Sequence, residues 1–248
     1  MPSSQAAPTS NLLVDALPYN NRLQLLASCE TVELQQAEVL ANAGDPIRHV
    51  YFPTGSYISI DSGSGLEVGL IGNEGMLGTP LLMGVEITSF HALVQGAGPA
   101  LRMTLSSFFR ELEQIPELRQ ELERYLNVLI IQLAQKVACN RFHVVEERLA
   151  RLLLMIRDRR HADEFHITHE LFSQLLGVRR VGVTKAAGAL QKRKLISYSR
   201  GDIRILDAGG LEAVCCKCYQ YDKETYDRIM NLQTPVARPQ EIASSKYH

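Results

Sequence analysis

The sequence predicts an α+β fold in three parts, and three observations predict it. Short apolar runs cut by glycine, proline and aspartate fill residues 32–103, as in a β-sandwich or barrel. A long apolar-periodic stretch follows Pro116. A helix, helix, glycine turn, helix and hairpin then succeed one another up to Leu206, the order of a winged helix-turn-helix. The chain has 248 residues, a length that favours two domains. Its composition, 46% hydrophobic and 21% charged, provides ordinary cores and excludes a disordered or collagen-like chain.

Residues 1–11 are small and polar, and a frayed start is expected. Asn11–Cys29 reads as a short helix on Leu12, Leu13, Leu17, Leu23 and Leu26. Eleven of the 17 glycines fall between Gly44 and Gly98, which puts the turns of the β region there. Thr104 is a candidate N-cap, and Pro116 suits a first helical position. Beyond it Leu118, Leu122, Tyr125, Leu126, Leu129, Ile130, Leu133 and Val137 recur at spacings of three and four. Such a stripe is either a core helix of its own domain or a parallel dimer seam. Its length favours the seam, with Leu122, Tyr125, Leu126, Leu129, Leu133 and Val137 facing the partner.

A helix over Glu146–Ile156 closes in the charged stretch Arg157–Arg160. Thr168–Leu176, Gly177 and Arg179 to about Lys194 form the helix-turn-helix, and Leu195–Leu206 a hairpin turning at Gly201. Residues 208–231 read as one more helix, and the last 17 residues, with Pro235 and Pro239, as a disordered tail.

The formal net charge of −1 argues, taken whole, against a nucleic-acid partner. The distribution reverses that inference. Residues 1–140 hold seven Lys/Arg against fourteen Asp/Glu, whereas residues 141–207 hold fourteen against eight. The basic excess coincides with the helix-turn-helix and points to double-stranded DNA. Arg179, Arg180, Thr184 and Lys185 cluster at the start of the recognition helix, the end that enters the major groove. An arginine there can bond guanine O6 and N7 together. Thr168, Gln174, Lys192 and Arg200 are candidate phosphate contacts, which orient a protein without reading sequence. Val183, Ala186, Ala187 and Leu190 are expected to face inward.

Through EERLARLLL and the stretch Ile167–Asp207, the chain resembles the Crp/Fnr family of bacterial transcription regulators over about residues 12–207. The resemblance implies an N-terminal cyclic-nucleotide-binding-like β-roll or jelly roll (12–115), a dimerisation helix (116–140) and a winged helix-turn-helix (141–207). A helical extension (208–231) and a tail (232–248) would follow. It also implies a homodimer on a palindromic operator, with RNA polymerase as a partner. The family commonly carries Arg-Glu, then Arg four residues on; here these are Arg180, Val181 and Lys185. Arg180 inherits the guanine-reading role, but Val181 cannot accept from cytosine N4 and Lys185 lacks a planar fork.

The effector region departs further. Gly78-Thr79 stands where cyclic-nucleotide binders have Gly-Glu, and Thr88-Ser89 where they have Arg-Ser. No Arg or Lys lies between Arg48 and Arg102, so a buried cyclic phosphate would lack its counter-charge. Tight binding of cyclic AMP is not expected, though Thr79, Thr88 and Ser89 can bond a neutral small molecule. The family's iron–sulfur sensors need an N-terminal cysteine cluster, and Cys29 is alone there, so no such cluster is expected. Cys215, Cys216 and Cys218 read as inert thiols rather than a metal site, and His91 as structural. No nucleophile, P-loop or carboxylate pair suggests an enzyme. The absence of a signal segment, a membrane span or a disulfide framework suggests a cytoplasmic, reduced protein. Two rival readings are a sensor signalling through a protein partner and a regulator that needs no ligand.

Overall fold

The structure, a computed structural model, describes residues 10–63 and 66–231. Most of the expected frayed start (1–9) and the whole expected tail (232–248) lie outside the described residues.

The first expected helix is two, α1 (Leu12–Asp15) and α2 (Tyr19–Ala27). Pro18 separates them with an extended ψ of 146° that no helix can continue. Asn11 anchors this start: its side chain accepts from the Leu13 amide and donates to the carbonyls of Pro53 and Gly75.

Seven strands follow: β1 (Glu30–Leu34), β2 (Val39–Ala41), β3 (His49–Pro53), β4 (Tyr57–Asp61), β5 (Glu67–Ile71), β6 (His91–Gly96) and β7 (Gly98–Thr104). They form two antiparallel sheets, ordered β1-β7-β3 and β2-β6-β4-β5. Strand alternation serves two cores at once. In β3, Tyr51 joins Ile58, Ile71 and Val94 between the sheets, while Val50 and Phe52 face the helices on the other side. A 3₁₀ turn over Thr79–Met83, not signalled by the sequence, links β5 to β6.

Helix α3 (Leu105–Gln114) starts at Thr104, whose hydroxyl accepts from the Ser107 amide as expected. Helix α4 (Pro116–Phe142) carries the long stripe, and the stripe proves to be two faces. Leu118, Leu122 and Tyr125 are buried in the core of the β-rich domain, and Leu129 packs beside them. Leu122 (0% exposed) and Tyr125 (1%) are therefore core residues, which corrects their assignment to a dimer seam. The cause is geometric: over 27 residues, a row at spacings of three and four winds partly round the helix. Ile130 (61% exposed), Leu133 (45%) and Val137 (66%) lie on the open side, with Leu126 half-buried.

Helix α5 (Val145–Arg160) runs through the charged stretch rather than ending at Ile156. Two arginines of that stretch are paired: Arg157 with Asp163, and Arg159 with Glu74 across the domain boundary at 2.6 Å. Arg159 also donates to the Leu70 carbonyl. Strand β8 (Glu164–His166), unforeseen in the sequence, then precedes α6 (His169–Leu176), α7 (Arg180–Lys192), β9 (Ile196–Ser199) and β10 (Asp202–Ile205). Three strands order as β8-β10-β9 to form the wing. The expected hairpin turn is Arg200-Gly201, both at positive φ (52° and 94°), the two-residue connection that matches strand twist. The core of this domain includes Tyr57 and Leu70 from the sheets, so the two domains share buried apolar surface.

The single helix expected over 208–231 is likewise two, α8 (Ala208–Val214) and α9 (Cys218–Met230), because Cys215 is extended at ψ 156°. Helix α9 returns to the sheet domain, where the Tyr226 hydroxyl donates to the Glu74 carbonyl. Among the described residues no helix is long and apolar enough to cross a membrane.

Candidate nucleic-acid interface

The Thr168 hydroxyl accepts from the Leu171 amide at 3.2 Å and starts α6. Gly177 closes that helix at φ 61°, the left-handed conformation that turns the chain without a side-chain penalty. Helix α7 then begins at Arg179, which offers no side-chain cap. The Arg180 and Val181 amides at this end, which no side chain caps, add positive potential where two arginines already sit.

The inward and outward faces of α7 divide as expected. Val183, Ala186, Ala187 and Leu190 are buried in the domain core. Arg179, Arg180, Val181, Thr184 and Lys185 are exposed together on the first two turns. Gln174 is exposed on α6, Lys192 on the last turn of α7, and Arg200 at the tip of the wing. None of Arg179, Arg180, Lys185, Lys192 and Arg200 forms an ion pair with a described residue, so their charge is free for a polyanion.

Two residues not signalled by the sequence brace this surface. His169 stacks on Tyr198 of the wing, with ring centroids 4.4 Å apart and planes 7° apart. Its Nδ1 lies 3.1 Å from the Thr184 hydroxyl, which also bonds the Arg180 carbonyl. One imidazole thus ties α6, α7 and the wing together. Burial, and secondarily the Arg180 charge, push His169 below the usual imidazole value. No local pattern announces such a contact, since its partners lie 15 and 29 residues away in sequence.

The candidate effector residues serve the chain itself. Gly78, at φ 117°, sits against Val50, and Thr79 opens the 3₁₀ turn. The Thr88 hydroxyl both donates to and accepts from the Phe90 backbone at 3.2 Å. Ser89 is exposed.

A separate group of donors forms where the end of α4 meets the α8–α9 junction. Cys139, His143, Cys216 and Cys218 place their donor atoms within 4.8 Å of one another. Sequence spacing linked only Cys216 with Cys218; Cys139 on the last turn of α4 and His143 just past its end lie more than 70 residues away. Cys215 is not among them and points instead to the Glu212 carbonyl. Hydrogen bonding from Cys216 holds the Cys139 thiol below the usual thiol value, while burial raises that of Cys215 to about 11.

The Crp-like helix-turn-helix domain family matches residues 147–214. Solved structures match most of the chain. A transcriptional regulator of the Crp/Fnr family from Eubacterium rectale is 16% identical, covers 82% of this chain and 97% of its own, and has a TM-score of 0.61. FixK2 from Bradyrhizobium japonicum is 14% identical, with coverages of 76% and 98% and a TM-score of 0.62. CLP from Xanthomonas campestris, a regulator described as responsive to c-di-GMP, is 15% identical, with coverages of 76% and 99% and a TM-score of 0.57. At these identities the likeness is one of fold. No curated protein matches the sequence.

Proposed function

From the premise that residues 147–214 are a Crp-like helix-turn-helix domain, carried on the fold of Crp/Fnr-family structures, we propose that the chain is a homodimeric, sequence-specific DNA-binding transcription regulator. The observation that carries this reading is the exposed cluster Arg179, Arg180, Thr184 and Lys185 at the uncapped start of α7, whose three cations form no ion pair with a described residue. In the major groove, Arg180 would read guanine, while Gln174, Lys192, Arg200 and the Thr168 hydroxyl would hold phosphates. Val181, 60% exposed, would meet base edges with an apolar surface, such as a thymine methyl.

The dimer rests on the open side of α4. Leu126, Ile130, Leu133 and Val137 follow one another at spacings of four, three and four, the seam of a two-helix coiled coil. Pairing there would set two recognition helices about 34–36 Å apart, matching a palindromic operator. The sensor domain would act by shifting that pairing, as a differential stabilisation of two states. Cyclic AMP is not the proposed effector. The segment from Gly78 to Ser89 carries no cation, and the Thr88 hydroxyl is committed to Phe90.

Selection of bound fragments from random DNA, with wild type and Arg180→Ala in parallel, tests the reading. The expected result is an imperfect palindrome whose affinity falls steeply with salt. Arg180→Ala should relax one base pair per half-site by about 5–150-fold, the equivalent of roughly 1–3 kcal/mol. DNA affinity without salt dependence or sequence preference would reject it and favour a protein partner for the winged domain.

A further inference from the structure

We infer that Cys139, His143, Cys216 and Cys218 form a tetrahedral site for a single thiophilic divalent cation of the zinc class. The site would clamp the C-terminal extension to the end of the long helix.

The donor set is Cys₃His, and three of its members are buried: Cys139 (1% exposed), Cys216 (5%) and Cys218 (2%). Zinc–sulfur bonds of about 2.3 Å and zinc–nitrogen bonds of about 2.0 Å, at tetrahedral angles, set the S···S edge near ~3.8 Å and the S···N edge near ~3.5 Å. The Cys139–Cys216 sulfurs are 3.5 Å apart, and Cys218 Sγ is 3.4 Å from His143 Nδ1. Two edges of the tetrahedron are thus already near their bound lengths. A cluster of several irons would spread its ligands over separate metal atoms, whereas all four donors here fit round one ion.

The surroundings suit a charged centre. In the filled site all three sulfurs are thiolates and His143 is neutral, so with a divalent ion it carries one net negative charge. Arg148 and Arg151 both interact electrostatically with Cys139, and since Arg151 is already paired with Asp222 the balancing charge would come chiefly from Arg148. The Gln135 side chain donates to Cys218 Sγ at 3.0 Å, the outer-shell hydrogen bond that orients a ligating thiolate. One ligand, Cys139, sits on the last turn of α4, His143 lies just past that helix in the link to α5, and two sit at the α8–α9 junction. Occupancy would therefore stiffen the joint from which the winged domain departs. The site does not depend on the DNA-binding reading, and metal content can be measured without DNA.

The test uses the untagged full-length chain, purified under reducing conditions. Elemental analysis should find about one zinc ion per chain, as expected of a closed four-ligand site. After chelation, cobalt(II) titration should restore one equivalent, with the strong visible bands of tetrahedral cobalt and a sulfur-to-cobalt charge-transfer band. Cys139→Ser, Cys216→Ser and Cys218→Ser should lose the ion, and Cys215→Ser should keep it. Gln135→Ala, which leaves all four ligands, should weaken cobalt affinity by about 10–100-fold. The wild-type titration needs no variant to fold. A folded, reduced wild type that takes up no stoichiometric zinc or cobalt overturns the proposal. So does a Cys139–Cys216 disulfide that persists through reduction, or loss of metal in Cys215→Ser equal to that in Cys216→Ser.

Discussion

Helix α4 predicts opposite consequences for two leucines eleven residues apart. Leu122 is fully buried in the β-rich domain, and Leu133, three turns further along the helix and only about 20° round it, is 45% exposed where that core no longer covers it. Leu122→Ala should lower unfolding free energy by about 2–5 kcal/mol, the cost of an unfilled core site, and leave the association constant of the surviving fold unchanged. Leu133→Asp should behave conversely. Ile130, Leu133 and Val137 each leave on the order of 80–110 Å² for a partner to cover, worth up to about 2–3 kcal/mol per side chain at ~25 cal/mol/Å². A carboxylate placed in that seam from both protomers adds desolvation and mutual repulsion. Sedimentation equilibrium should show dimeric wild type and monomeric Leu133→Asp, and urea unfolding at matched monomer concentration should show little intrinsic loss for Leu133→Asp. The reasoning fails if Leu133→Asp stays dimeric, or if Leu122→Ala dissociates the dimer without destabilising the protomer.

Other consequences follow from packing and charge. A Cβ on Gly75 would sit 2.0 Å from the Tyr125 hydroxyl, whereas one on Gly69 meets nothing within 4 Å. Gly75→Ala should cost about 1–3 kcal/mol by urea denaturation and Gly69→Ala much less; equal losses would contradict the packing. Lys136 pairs with buried Glu67 and joins α4 to β5. Glu67→Gln, which strands the buried ammonium, should cost about 3–5 kcal/mol, while Glu67→Leu with Lys136→Met should be near neutral. The two variants are separated by chemical denaturation, and a double variant as unstable as the single one would be the adverse result. His169 titrates below its unfolded value near 6.5, so the unfolded chain takes up the proton first. Stability is thus full above pH ~6.5 and declines as pH falls below it. His169→Phe, which keeps a ring against Tyr198, should show a shallower fall in melting temperature between about pH 7.5 and 5.5. Parallel slopes would count against this assignment.

The sequence by itself determined the order of parts: β-rich domain, long helix, winged helix-turn-helix. It also determined the caps at Thr104 and Thr168, the turns at Gly177 and Gly201, and the buried face Val183, Ala186, Ala187 and Leu190. These are local features, set by period, capping chemistry and backbone freedom within a few residues. The tertiary structure decided what depends on distant neighbours. It divided the stripe of α4 between core and surface, because only the neighbouring domain determines which side of an apolar helix is covered. It ran α5 on to Arg160, with Arg157 paired to Asp163 and Arg159 to Glu74, and it set His169 against Tyr198. It also brought Cys139 and His143 to Cys216 and Cys218, a convergence across more than 70 residues that no spacing rule along one chain can register.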